Sequence, residues 1–147
     1  MEGLPRRGSA LSLVLDSSIT LARVFPDEWT PAILQVFDDH VVHSAWVPDL
    51  WKIEMANVLS FSLKKGRITR ERRGEILAEL SILPIAIDTQ TGKRAWNETL
   101  TLADRHQLTV YDATYLELAI RLSLPLATLD RDLRKAAQAE NIPLLGL

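Results

Sequence analysis

Apolar runs alternate with amphipathic stretches along the whole chain. "LSLVLD" (11–16) is apolar almost throughout and predicts a buried strand. "SSITLARVF" follows with helical spacing, Ser17 or Ser18 placed as N-cap and Pro26 as the stop. Thr30 and Pro31 form a good N-cap and N1 pair for a short helix over 30–39. "VVHSAWV" (41–47) predicts a strand. Pro48 then opens a long helix to about Lys65, which Gly66 ends. Thr69 caps another helix reaching about Leu83, "PIAID" (84–88) is a strand, and 91–105 is helical. "LTV" leads into a helix from Tyr111 to about Leu122. "LPLATLD" (124–130) is a strand, "RDLRKAAQAE" a helix and "IPLLGL" a last strand. Wholly apolar strands alternating with helices predict a three-layer α/β/α fold. Its central parallel sheet is covered on both faces.

Length and composition narrow this further. The 147 residues suit one domain, read as 11–147, behind a loose tail over 1–10 rich in Gly, Pro and Arg. Arg6 and Arg7 precede an apolar stretch, but it is short and Asp16 interrupts it, so the tail is preferred over a signal peptide. A net charge of −2 points to no partner class. No cysteine is present, which removes disulfides and thiolate metal sites and fits a reducing, cytoplasmic setting. No apolar run approaches the ~20 residues of a membrane span.

Four carboxylates change the picture. Asp16 closes the first strand, Asp130 closes "LATL", and Asp112 lies where "LTV" becomes a helix. Parallel strands would bring all three to one edge of the sheet, where open α/β folds bind ligands. Asp is also a favoured N-cap residue, so each acid singly could be a cap. Glu54 adds a fourth, on a helix face read as Leu50, Glu54, Asn57 and Phe61, buried at its ends and polar at its centre. Two unit charges 4 Å apart repel by about 4 kcal/mol at an effective dielectric of ~20. Four acids sharing one pocket therefore call for cations, and oxygen-only ligands select Mg²⁺ or Mn²⁺. His40, His43 and His106 show no ligand spacing.

The segments "LVLDSSITLARVFPDE", "VPDLWKIEMANVL" and "LTVYDATYLELAIRLSLPLATLDRDL" resemble the PIN-domain family. Within it they are most similar to VapC-type toxin ribonucleases, over almost the whole chain. The resemblance implies a PIN-like fold, Mg²⁺ or Mn²⁺ as cofactor, and divalent-metal-dependent endoribonuclease activity on RNA phosphodiesters. It makes Asp16, Glu54, Asp112 and Asp130 the metal-holding and catalytic acids, supported by Ser17, Asn57 and Thr128. Asp132 could share the metal duty but reads better as a solvated acid in a first helical turn. A VapB-like antitoxin and a homodimer are the implied protein partners, and the cytoplasm the implied location.

"KKGRITRERR" (64–73) gathers six basic residues against one acid. Arg70, Arg72 and Arg73 could follow an RNA backbone, or could simply be a solvated helix end. Arg131 and Arg134 follow Asp130 and are placed beside the substrate path. The four tryptophans read as core or interface, Trp51 near the cleft. A haloacid-type phosphatase needs a second acid where Ser18 stands, and no glycine-rich nucleotide motif occurs. The alternative is a catalytically inactive PIN-like module that binds RNA or protein, against which the full set of acids argues.

Overall fold

The computed structural model describes residues 12–147, so the expected tail over 1–10 lies outside the described residues. Five strands make one sheet in the order β3-β2-β1-β4-β5. They are β1 (Val14–Leu15), β2 (Ala45–Pro48), β3 (Ile85–Asp88), β4 (Leu126–Ala127) and β5 (Leu144–Leu145). Every pairing is parallel, with Val14 opposite both Trp46 and Leu126. Leu13, Val14 and Leu15 are all fully buried. Successive strand residues face opposite sides, so both faces of the sheet are covered. The order reverses between β1 and β4, because the chain builds outward from β1 to β3 and returns on β1's other side. That reversal opens a crevice at the carboxyl ends of the two strands.

Among the described residues eight α-helices fill the layers: α1 (Ser17–Val24), α2 (Pro31–Val36), α3 (Trp51–Lys64), α4 (Arg70–Ser81), α5 (Thr91–Arg94), α6 (Leu100–His106), α7 (Val110–Leu122) and α8 (Arg131–Ala139). α7 is the central one. Every residue from Ala113 to Ala119 is buried, so it is enclosed on all sides. α3 ends in a Schellman turn: Gly66 takes φ +75° and donates to Leu63, and Arg67 donates to Ser62. Two π-helical turns, Phe37–Val41 and Ala95–Thr99, extend α2 and lead into α6.

The alternation and the parallel sheet are as the sequence predicts; several local readings are not. "LTV" forms no strand, because Thr109 is the N-cap of α7 and its hydroxyl accepts from the Asp112 amide at 3.1 Å. Pro48 ends β2 rather than opening α3. Asp16, and not Ser17 or Ser18, caps α1. The buried stripe of α3 is Trp51, Met55, Leu59 and Ser62. Phe61 is 58% exposed, with Lys65 over its ring, and Asn57 is exposed too. The face carrying Glu54 is a rim, not a core stripe.

Candidate metal centre

Four helices begin at the carboxyl edge of the sheet, and each carries one acid there. Asp16 caps α1 and Asp130 caps α8, where its Oδ2 accepts from the Leu133 amide at 2.8 Å. Glu54 and Asp112 lie in the first turns of α3 and α7. The capping readings of Asp16 and Asp130 hold, and capping leaves both acids at the edge where a ligand site is expected. Partial positive charge at helix N-termini favours carboxylates, by ~0.3–1 kcal/mol each at exposed sites.

A hydroxyl network fixes the crevice between β1 and β4. Asp16 Oδ2 accepts from Ser18 Oγ at 2.5 Å and from Thr128 Oγ1 at 2.9 Å. Ser18 in turn accepts from the Leu129 amide at 3.0 Å, and Thr128 from the Asp130 amide at 3.0 Å. Thr128 thus stands where it was expected. The hydroxyl on Asp16 comes from Ser18, while Ser17 faces Glu54. Sequence reasoning missed Ser18, although the pair of serines after Asp16 was a visible signal. It also missed Tyr115, whose hydroxyl donates to Glu54 Oε1 at 2.6 Å.

Charge accumulates in this pocket. Burial pushes the Asp112 carboxyl up to about 6, and the charges of Asp130, Asp16 and Glu54 add to the rise. Burial also raises Asp16, against the hydrogen bonds from Ser18 and Thr128, and the Asp130 charge works in the same direction as burial. Glu54 is raised by burial and by Asp16, against the bonds from Tyr115 and Ser17. Among the described residues no Lys or Arg pairs with any of the four. The acids are within electrostatic reach of one another, yet no three of these side chains close around one point as a finished cage. The set fits a hard divalent cation by its all-oxygen chemistry and its uncompensated charge.

The other expected residues fare differently. Asp132 is exposed and lines a cleft of about 390 Å³ with Arg105, His106 and Lys135, which includes none of the four acids. Arg134 donates to the carbonyls of Thr128 and Leu145, at 2.7 and 3.0 Å, so it ties β4 to β5 instead of facing a substrate. Arg72 is held by Glu75 and Glu79. Arg70 and Arg131 are exposed, and with Arg73 they form no ion pair among the described residues. The basic stretch begins ~15 Å along α3 from Glu54, at 1.5 Å per residue. Trp51 is buried and donates to Thr20 at 3.1 Å, joining α3 to α1 and offering no stacking face.

A family profile described as the PIN domain matches residues 13–139. The chain belongs to the PIN-domain family. This PIN domain is 30% identical over 139 residues to Ribonuclease VapC3 of Pyrobaculum aerophilum, covering 92% of this chain and 98% of that one. Its fold is similar to the crystal structure of PAE2754 from the same organism, with a TM-score of 0.62 and 18% identity over 95% and 92% of the two chains. It is likewise similar to VapBC2 from Rickettsia felis, solved bound to a DNA fragment from their promoter. There the TM-score is 0.64 and the identity 15%, over 90% of this chain and 96% of that one. The central parallel sheet with its helices is therefore the expected PIN-like architecture.

Proposed function

We propose that this PIN domain is a divalent-metal-dependent endoribonuclease that hydrolyses RNA phosphodiesters, acting as the toxin of a VapBC-type toxin–antitoxin pair. The observation that carries the reading is the convergence on Asp112: burial, and then the charges of Asp130, Asp16 and Glu54, raise its pKa, and among the described residues no basic side chain pairs with any of the four. Asp16, Glu54, Asp112 and Asp130 would hold Mg²⁺ or Mn²⁺, drawn inward by it. A cation held there neutralises phosphate charge and acidifies a water for attack. Ser18 and Thr128 fix Asp16, each using its Oδ2. Asp112 and Glu54 are the candidates for general base, and a bound cation would keep both ionised.

Similarity to a protein named a ribonuclease supports RNA as substrate. Fold similarity to a VapBC complex supports an antitoxin partner, and the exposed Ile53, Phe61 and Leu77 on α3 and α4 suit a protein surface. A homodimer and a cytoplasmic setting complete the reading. The deciding experiment is cleavage of RNA by the purified protein with Mn²⁺ and with chelator, beside Asp16→Asn. Cleavage by the parent only with Mn²⁺, and by neither sample of a folded Asp16→Asn, is expected. RNA binding without cleavage would instead favour an inactive binding module.

A further inference from the structure

Tyr115 is fully buried in the middle of α7, yet it carries a hydroxyl. A buried hydroxyl must find a partner, and this one donates to Glu54 Oε1 at 2.6 Å, across 61 residues of sequence. Glu54 stands half-buried in the first turn of α3, with Asn57 and Phe61 of the same face exposed, so packing alone does little to fix its rotamer. Tyr115 lies three residues after Asp112 and shares its face of α7. One helix therefore presents an acid of the pocket and, one turn on, the group that grips a second acid from a different helix.

We propose that Tyr115 is a positioning residue: its phenol holds one oxygen of Glu54, so that α7 sets the placement of Glu54 relative to Asp112 and leaves the other oxygen for a divalent cation. The inference rests on the metal reading above. Burial and the neighbouring carboxylate both keep the phenol protonated, hence a donor. Partners that orient metal ligands in this way typically contribute ~10- to 100-fold in metal affinity or activity.

Tyr115→Phe removes one oxygen and keeps the ring that fills the core. Titration calorimetry with Mn²⁺ on the metal-free protein should show binding weakened at least ~10-fold. In a Glu54→Gln background the same change should have no further effect on Mn²⁺ affinity, because the phenol acts only through Glu54. A purely structural tyrosine would lower the melting temperature and leave Mn²⁺ affinity alone, and that result overturns the inference. Parent protein that binds no Mn²⁺ fails the metal reading and this inference together. Parent that binds while Tyr115→Phe binds equally fails this inference alone. A second measurement needs no change at Tyr115. The chain has 2 tyrosines, so in Tyr111→Phe the single ¹³C-tyrosine resonance belongs to Tyr115. It should shift on Mg²⁺ addition, and an unmoved resonance at saturating Mg²⁺ overturns the coupling.

Discussion

Two groups of buried or half-buried acids stand out among the described residues, and they are handled in opposite ways. At the end of β3, Asp88 receives two bonds from Arg121, at 3.1 and 2.8 Å, and Arg121 also donates twice to Glu117, at 2.8 and 3.0 Å. Burial works against the charge of Asp88, but the Arg121 bonds and charge outweigh it and hold the carboxyl below its ordinary range. In the pocket at the carboxyl ends of β1 and β4 four acids converge with no such partner, and Asp112 rises to about 6. Both regions bring carboxylates out of water. One contains its own cation and is finished on folding; the other has a charge deficit that only something from outside can fill. The difference separates an acid cluster matched by a cation of its own from one left unmatched, as the proposed metal site requires.

The largest test removes the internal cation. Arg121→Met should cost about 3–5 kcal/mol in urea unfolding, because it leaves Asp88 and Glu117 buried and unpaired. Adding Asp88→Asn and Glu117→Gln to that variant should restore most of the loss. An Arg121→Met protein as stable as the parent would erase the contrast between the two clusters.

The second test supplies the missing cation. Mn²⁺ at 100 times its Kd should stabilise the parent by about 2.7 kcal/mol. The gain should shrink in Asp112→Asn, which is expected to be at least as stable as the parent without metal. A melting temperature unmoved by millimolar Mn²⁺ would sink the metal site.

A smaller effect is expected from pH. The Asp112 carboxyl stands at about 6 in the fold against an ordinary 3.8. Between those values the folded chain keeps a proton that the unfolded chain has lost. Metal-free stability should therefore fall as pH rises from about 4 to 6, then level off. Asp88 has the opposite sign: its contribution is present above 3.8 and is lost as pH falls through its lowered pKa. Urea midpoints measured in chelator across this range should decline in the parent and flatten in Asp112→Asn. Equal slopes in the two proteins would show that the Asp112 carboxyl is not raised in the fold.

The least expected change concerns RNA contacts away from the pocket. Arg70→Gln with Arg73→Gln should reduce the log–log salt slope of RNA binding by roughly 0.7 per lost contact, with turnover at saturating RNA unchanged. Arg72 is left in place because Glu75 and Glu79 already engage it. A salt slope equal to the parent's would move the RNA path elsewhere, with exposed Arg131 the next residue to change.

The sequence announces the four-acid pocket far better than the ion triad. Asp16 and Asp130 each follow an apolar strand, a local pattern that parallel topology turns into proximity. Asp112 was found for partly the wrong reason, since "LTV" is β-rich in composition but Thr109 caps a helix there. On α3 two stripes were available, and the more apolar one, Trp51-Met55-Leu59, is the buried one. Choosing Leu50-Glu54-Asn57-Phe61 placed Asn57 in the site, whereas it lies exposed on the rim. Of the triad, only the Glu117–Arg121 spacing of four was legible. Asp88 lies 33 residues from Arg121, and nothing local marks their meeting. Tyr115 carries no local mark of its role: its ring is core, and only its oxygen reaches the pocket.

The bond from Thr128 to Asp16 spans 112 residues. During synthesis the first acid of the pocket is made long before the hydroxyl that holds it, and chains grow at ~5–20 residues per second. The crevice between β1 and β4 can close only after β4 has been made, so a growing chain carries Asp16, Glu54 and Asp112 without a completed pocket. For a nuclease this delays activity until almost all of the chain has left the ribosome. A chain cut after Pro125 keeps those three acids but lacks β4, Thr128 and Asp130. It should cleave no RNA in an assay where the full chain does.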